Sequence, residues 1–138
     1  MSKNKQLLAL DIGEVRIGLA MADRSIGIAV PYDTIAMNEV TFKKDIAHLI
    51  SKNDIAALIV GYPRNQSGEA TQQTDYVTKM TSELHDLEVE IIFQDESLSS
   101  VIAKDRLGIT HRRIQDKGVV DAEAAAIILQ DYLEQQRR

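Results

Sequence analysis

Residues 7–23, LLALDIGEVRIGLAMAD, contain two apolar runs that flank a turn with a glycine. Leu7 to Leu10 and Ile17 to Ala22 are each short enough for a buried strand, and Gly13 gives the connection backbone freedom. Asp11 comes where the first apolar run ends. A carboxylate in that place either caps the turn or faces a cleft, and these residues alone leave both interpretations open.

The composition is typical of one globular domain. The chain has 138 residues, 44% of them hydrophobic, and no linker-like stretch, so we expect residues 1–138 to form a single domain. Cysteine is absent, which excludes disulfides, thiolate nucleophiles and cysteine zinc sites. The N-terminal residues lack the apolar segment of a signal peptide, and no apolar run is long enough to cross a membrane. We therefore expect a cytoplasmic protein with no membrane association.

The charge and the aromatic content limit how this chain could bind nucleic acid. A formal net charge of −5 is unusual for a nonspecific nucleic-acid binder, which normally carries a basic excess. The same charge is compatible with an acidic metal site. Aromatic residues make up 4% of the chain and tryptophan is absent, so a platform for stacking single-stranded bases is not supported.

Apolar periodicity predicts the remaining elements. The continuous apolar run from Ile55 to Gly61 is typical of a strand buried on both faces, and Pro31 favours an edge position for its strand. The stretch from Asp121 onward is rich in alanine and predicts a long helix. After the first two strands, the sequence predicts a strand over 25–35, a helix that Thr41 caps and a strand over 55–61. A helix containing Val77 and Leu87 and a strand over 89–93 follow. The predicted elements after that strand are a helix containing Val101 and Ile102, a polar loop over 108–118 and the helix from Asp121.

This succession of elements predicts an α/β fold. Three strands joined by short connections favour an antiparallel meander, and each later strand follows a helix, as in a right-handed crossover between parallel strands. The expected result is a five-stranded mixed sheet, a three-strand antiparallel meander plus two parallel strands, with helices on both faces and the first strand at the centre. That layout is the ribonuclease H-like fold.

Acidic side chains stand at the ends of several predicted elements. Asp11 ends the first strand and Asp121 begins the last helix, whereas Asp95 and Glu96 follow the fifth strand. Converging carboxylates repel one another, so a folded chain keeps such a cluster mainly where a cation neutralises it, and oxygen ligands select Mg²⁺ or Mn²⁺. Two such ions could activate water and stabilise the leaving oxygen of a phosphodiester. Asp121 could instead complement the positive N-terminus of its helix, and Asp95 or Glu96 could cap the helix that follows.

Four segments carry a resemblance to a known family: ALDIGEVRIGLAMAD, LIVGYPRNQSGEATQQT, FQDESLSS and VVDAEAAAIILQDYL. Together they resemble the YqgF (RuvX) family of Holliday-junction-resolvase-like proteins, described as pre-ribosomal-RNA nucleases, and the match runs almost end to end. The resemblance implies that Asp11, Glu96 and Asp121 are the catalytic acids and bind Mg²⁺ or Mn²⁺. It also implies that Arg16 and the loop from Gly61 to Arg64 line the site.

The sequence departs from the family pattern at two places. Ser97 stands where the family usually has arginine after the acids of the fifth strand. Gly61 and Tyr62 stand where the broader resolvase pattern has an acid at the end of the fourth strand. Glu96 on the fifth strand would therefore have to supply that carboxylate, reaching across a glycine that has no side chain to obstruct it.

Positive charge is concentrated between Lys104 and Lys117. Such a run is either a solvated surface or a loop that binds substrate phosphates, and its place next to the predicted acids favours the second interpretation. The residues predicted to contact substrate are Arg16, Arg64, Lys104, Arg112 and Arg113.

These features predict a metal-dependent endonuclease that acts on structured nucleic acid. The resemblance implies RNA as the substrate, the precursor of 16S ribosomal RNA in particular, and hence a role in ribosome biogenesis. Three alternatives remain open: a Holliday junction resolvase acting on branched DNA, a noncatalytic RNA-binding or regulatory module, and an ATP-binding module, because the residues DIG at 11–13 also resemble the phosphate-side turn of actin-like ATPases. A monomer and a homodimer are both compatible with the sequence, and a resolvase normally needs two symmetric subunits.

Overall fold

Five strands form one mixed sheet in the computed structural model, which describes residues 6–63, 67–95 and 117–137. The strands are β1 (Gln6–Ile12), β2 (Arg16–Asp23), β3 (Val30–Ala36), β4 (Ile55–Tyr62) and β5 (Glu90–Asp95). Their order is β3-β2-β1-β4-β5, in which β1 pairs antiparallel with β2 and parallel with β4. The β2–β3 pair is antiparallel and the β4–β5 pair is parallel. This arrangement confirms the predicted mixed sheet and the central place of the first strand.

Helices cover both faces of the sheet. Within the described residues they are α1 (Phe42–Asn53), α2 (Gln72–Ser82) and α3 (Lys117–Gln136). Leu8 of β1 is buried in one core with Phe42 of α1 and Met80 of α2. Leu7 and Ala9 point to the other face, where they are buried in a second core with α3. The continuous apolar run of β1 thus supplies both cores, because side chains alternate along a strand. No helix in the described ranges is long and apolar enough to cross a membrane.

Small side chains separate α3 from the sheet. The core between them is rich in alanine, whereas the core under α1 and α2 consists mainly of leucine, isoleucine, valine, phenylalanine and methionine. An alanine side chain ends at Cβ, so a helix packed on alanine lies closer to the strands than one packed on leucine. The alanines of this core are Ala9, Ala20, Ala22, Ala57, Ala125 and Ala126.

The start of α2 is a capping box, which is not among the sequence-based predictions. The hydroxyl of Thr71 accepts a hydrogen bond from the backbone N–H of Thr74 over 3.3 Å, and the hydroxyl of Thr74 accepts one from the backbone N–H of Thr71 over 2.9 Å. Thr41, which the sequence predicts as the cap of α1, occupies the N-cap position but makes no capping bond with its side chain. Its hydroxyl instead donates to Oδ2 of Asp45 over 2.9 Å.

Both edge strands have boundaries that differ from the sequence prediction. β3 begins at Val30 and not at residue 25, because a turn precedes it. In that turn Oδ1 of Asp23 accepts a hydrogen bond from the backbone N–H of Ser25 over 2.8 Å, and Gly27 has a φ of 79° that favours glycine. β5 continues to Asp95, beyond its predicted end at residue 93.

The last helix begins earlier than predicted. α3 starts at Lys117, so Asp121 lies inside the helix and not at its first residue. Gly118 is a poor helix former, so the local sequence predicts it in the preceding loop. The predicted helix with Val101 and Ile102 lies outside the described residues, as does the predicted loop up to residue 116.

Candidate active site

Asp11 lies near the end of β1 and emerges on the face that α3 covers. Side chains alternate along β1, and Leu7 and Ala9 have the same parity as Asp11 and pack in the core under α3. Asp11 is the cross-strand partner of Gly18 on β2, so the two residues share that face. The acid at the end of the first apolar run therefore faces the helix that carries the other described acid of the predicted site.

The backbone of α3 touches β2 at Gly18. A Cβ atom on Gly18 would lie 2.1 Å from the carbonyl oxygen of Asp121 and 2.4 Å from its carbonyl carbon, far closer than a non-bonded contact allows. Any side chain at this position would push the helix away from the strand. The glycine thus places the backbone of Asp121 directly over the pair that Gly18 forms with Asp11.

Arg16 and Asp121 form an ion pair at the same place. Nε of Arg16 donates a charge-assisted hydrogen bond to Oδ2 of Asp121 over 2.6 Å. The two side chains keep 34% and 26% of their surface exposed, so the pair is half-buried and reachable from solvent. The bond uses one guanidinium N–H and one carboxylate oxygen. Oδ1 of Asp121 and both Nη groups of Arg16 take no part in it.

A cleft opens beside this ion pair. It has a volume of about 500 Å³ and lies between β3 and the start of α3. Thr34 on β3 lines one side of the cleft, and Val119 and Ala122 on α3 line the other, with Arg16 between them. A ligand that enters this cleft can reach the guanidinium of Arg16.

The N-terminus of α2 is hydrogen-bonded to the backbone at the ends of both β1 and β4. Nε2 of Gln73 donates to the carbonyl oxygen of Ile12 over 2.8 Å, at the residue that follows Asp11. The hydroxyl of Thr74 donates to the carbonyl oxygen of Pro63, directly after β4. Neither role is predicted from the sequence, although the threonines at 71 and 74 that form the capping box are a signal of a helix start there. These bonds fix the strand ends from which the candidate site is built.

The sheet separates Asp95 from Asp11. Asp95 pairs with Tyr62 at the ends of β5 and β4. Tyr62 has the same parity along β4 as Leu58 and Val60, which are buried in the core under α1 and α2. Asp95 therefore belongs to the face opposite Asp11. The sequence predicts only that Asp95 lies at the end of the fifth strand. The structure adds the face of the sheet on which it lies.

Several residues of the predicted site are not among the described residues. They are Glu96, Arg64, Lys104, Arg112 and Arg113, and their predicted roles stay predictions. Within residues 6–63, 67–95 and 117–137, no three histidine, aspartate or glutamate side chains are grouped closely enough to hold a metal ion. The described part of the chain thus contributes two of the three predicted acids, Asp11 and Asp121.

The sequence is similar to a known family over almost its whole length. The family model described as "RuvX: Holliday junction resolvase" matches residues 5–135. A protein of Fusobacterium nucleatum named "Putative pre-16S rRNA nuclease" is 40% identical over 139 residues, which cover 96% of this chain and 99% of that protein. A protein of the same name from Roseiflexus sp. is 37% identical over 139 residues, covering 99% of each.

A solved structure has a similar fold. The RuvC protein of T. thermophilus, in complex with a Holliday junction substrate, superposes with a TM-score of 0.64 and covers 97% of this chain and 96% of its own. The two sequences are 12% identical, so the likeness concerns the fold alone. It agrees with the ribonuclease H-like layout predicted from the order of the strands.

Proposed function

Because this chain belongs to the RuvX family, we propose that it is a metal-dependent nuclease that cleaves the precursor of 16S ribosomal RNA. The choice of substrate rests on the names of the relatives from Fusobacterium nucleatum and Roseiflexus sp.. One observation carries the chemical part of the proposal. The contact at Gly18 puts Asp121 over the Asp11–Gly18 pair and next to Arg16, so acids from distant parts of the chain share one face of the sheet.

The donor atoms on this face fit a divalent cation. Carboxylate oxygens are the ligands that Mg²⁺ and Mn²⁺ prefer. Arg16 balances one negative charge by pairing with Asp121, which lowers the repulsion that closely placed carboxylates suffer without a metal. We assign Asp11, Glu96 and Asp121 as the metal ligands and catalytic residues.

Glu96 enters this assignment from its position in the sequence. Its segment, FQDESLSS, is one of the four that resemble the family. Asp95 belongs to the face of the sheet opposite Asp11, which makes Glu96 the better candidate for the third ligand.

The side chains of the protein position the reacting groups. Bound metal ions would supply water activation and stabilisation of the leaving oxygen. Arg16 donates a hydrogen bond to Oδ2 of Asp121 and thereby fixes the direction of Oδ1. Hydrogen bonds of this kind orient a carboxylate that binds a metal ion. Gln73 holds the backbone at Ile12 and thereby the end of the strand that carries Asp11.

Cationic side chains would bind the substrate backbone. We propose that Arg16, Arg64, Lys104, Arg112 and Arg113 contact phosphates, because phosphate contacts position a nucleic acid and are normally made by arginine and lysine. A protein with a net charge of −5 needs such a local concentration of positive charge to approach RNA. The proposed substrate would place the protein in the cytoplasm, as the sequence predicts.

Cleavage assays with three substrates test the proposal. The purified protein is incubated with Mn²⁺, or with a chelator, and with precursor 16S ribosomal RNA, a four-way DNA junction or a linear duplex. We expect selective cutting of the precursor RNA that requires Mn²⁺ and is lost in Asp11→Asn. An uncut precursor, or equal cutting by a folded Asp11→Asn variant, would contradict the proposed function.

Resolution of four-way DNA junctions is the second candidate function. The description of the family model favours it. The same acids would act, and two subunits would be needed to cut two strands symmetrically. Preferential cutting of the junction in the same assay, together with a dimer in solution, would select this function.

A further inference from the structure

A pocket of about 560 Å³ lies at the carboxyl ends of β4 and β5. β4 is the direct neighbour of β1, so the pocket lies at the same end of the parallel strands as Asp11, with Tyr62 and Asp95 on the opposite face of the sheet. Ligands of parallel sheets bind at the carboxyl ends of the strands, and the volume is in the range of small-molecule sites. The described residues that line it are Tyr62, Thr78, Phe93, Gln94, Asp95 and Gln135.

Two aromatic rings form one side of this pocket. The rings of Tyr62 and Phe93 are 5.2 Å apart between centroids and are inclined by 72°, an edge-to-face arrangement. Phe93 is 44% exposed on the edge strand β5, so part of its ring is in contact with solvent. The edge-to-face contact orients both rings and leaves the exposed part of Phe93 available to a flat ligand.

Hydrogen-bonding groups form the rest of the lining. Asp95 contributes carboxylate oxygens, which accept hydrogen bonds, while Gln94 and Gln135 contribute amides that donate and accept. Gln94 is buried, with 8% of its surface exposed, so its side chain is held in place at the pocket. A carboxylate has about four acceptor sites, so it can bind a ligand while it also contacts the protein.

The charge of the lining excludes some ligands. None of the described lining residues is arginine or lysine, and the carboxylate of Asp95 repels a phosphate group. The lining instead suits a neutral, planar molecule that has N–H donors on its edge. An unpaired nucleobase has these properties, because every base has a stacking face and donors or acceptors on its edge.

We propose that this pocket binds one unpaired base of the RNA at the same end of the parallel strands as the cleaved phosphodiester but on the opposite face of the sheet, with Phe93 as the stacking surface and Asp95 as the acceptor for an exocyclic amino group. The proposal rests on the proposed nuclease function and deepens it. Adenine, cytosine and guanine carry an exocyclic amino group and uracil does not, so the pocket selects against uracil. The site stacks a single base and does not require the aromatic platform that the composition argues against.

A protein–RNA double-mutant cycle tests the subsite. Binding of a short unpaired RNA is measured with a chelator present, so that no cleavage occurs, and an abasic nucleotide is moved along the RNA one position at a time. At one position the abasic change should weaken binding by wild type about tenfold, and Phe93→Ala should cause a similar loss by itself. The two changes together should cost little more than either alone, because both remove the same contact.

Base identity and matched variants sharpen the test. At the sensitive position wild type should bind adenine, cytosine or guanine more tightly than uracil, and Asp95→Asn should abolish that preference. Phe93→Tyr keeps the ring and should bind as wild type does. Val30→Ala removes an exposed apolar side chain from β3, the opposite edge strand, and should leave both affinity and base preference unchanged.

The possible failures are distinguishable. If RNA binds but the losses from the abasic position and Phe93→Ala simply add at every position, the subsite is wrong and the proposed nuclease function stands. The same conclusion follows if Asp95→Asn keeps the preference against uracil. If wild type neither binds nor cleaves RNA, the proposed function fails and the subsite with it.

Discussion

Nε of Arg16 lies 2.6 Å from Oδ2 of Asp121, although the two residues are 105 positions apart in the sequence. The bond joins the first residue of β2 to α3 on the face of the sheet that also carries Asp11. Arginine is always protonated, so it supplies a permanent positive charge to a carboxylate that is proposed to bind metal. The Arg16–Asp121 pair is therefore expected to affect metal affinity, and the contact of Gly18 with the backbone of Asp121 is expected to affect stability.

Arg16→Ala should weaken metal binding. Without the arginine, Oδ2 of Asp121 loses its partner and the carboxylate loses its fixed direction, which typically costs about tenfold or more in metal affinity. Arg16→Lys should not restore the affinity, because an ammonium group cannot reproduce the planar geometry of Nε. Calorimetric titration with Mn²⁺ measures the effect.

Lys43→Ala is the matched control for this variant. Nζ of Lys43 pairs with Oδ2 of Asp86 over 2.7 Å, a bond of nearly the same length on an exposed surface away from the site. We expect Lys43→Ala to leave Mn²⁺ affinity unchanged. A tighter Mn²⁺ complex in Arg16→Ala would show that the arginine competes with the metal and does not position its ligand.

Gly18→Ala should destabilise the protein strongly. The added Cβ would fall 2.1 Å from the carbonyl oxygen of Asp121, so the helix backbone must move, and we expect a loss of about 3 kcal/mol in the free energy of unfolding. Denaturant titration measures it. Gly68→Ala is the control, because a Cβ there has nothing within 4 Å and only the φ of 80° is unfavourable, which costs about 1 kcal/mol. Equal losses in the two variants would contradict the close contact between α3 and β2.

Asp11→Asn should abolish both cleavage and metal-induced stabilisation. The amide keeps the shape of the side chain but removes a negative charge from the candidate metal site, so the metal-free protein should melt no lower than wild type. Thermal melts with and without Mn²⁺ test this, because a ligand stabilises only a fold that binds it. Asp75→Asn changes an exposed acid of α2 in the same way and should keep the full Mn²⁺-dependent shift. An equal shift in Asp11→Asn would contradict its role as a ligand.

Replacement of Arg112 and Arg113 by alanine should weaken RNA binding without slowing the chemical step. Each phosphate contact releases counterions, so the salt dependence of binding should decrease by up to about two contacts. The single-turnover rate at saturating RNA should remain near the wild-type rate. Alanine at Lys43 and Lys44 makes the same change in charge on α1 and should leave the salt dependence unaltered. An unchanged slope in the arginine variant, or a collapse of its saturated rate, would contradict the phosphate-binding role.

Local sequence patterns are sufficient to predict which strands lie inside the sheet and which lies at its edge. Leu7 to Leu10 and Ile55 to Val60 are continuous apolar runs, and only a strand with both faces buried needs apolar side chains at every position. These runs therefore predicted that β1 and β4 lie inside the sheet. Pro31 predicted the edge place of β3, because proline cannot donate to a neighbouring strand. Such properties are local, so they can be read from a few adjacent residues.

The start of α3 could not be predicted in this way. Gly118 has a low helix propensity and Val119 and Val120 are only moderate helix formers, so the local pattern placed the helix start at Asp121. In the structure the helix extends to Lys117, and Val120 packs against Ala124 and Ile127 of the same helix. Packing overrides propensity at such a boundary, and the sequence does not show the packing.

The contacts between polar residues depend on how the strands and helices pack in three dimensions. The sequence placed Asp11, Asp95 and Asp121 at element ends, but the alternation and pairing of the strands assign Asp95 to the face opposite Asp11. The Arg16–Asp121 bond exists because Gly18 lets the backbone of α3 rest on β2. That contact depends on the fit of two surfaces that are distant in the sequence, and neither segment alone contains the information that specifies it.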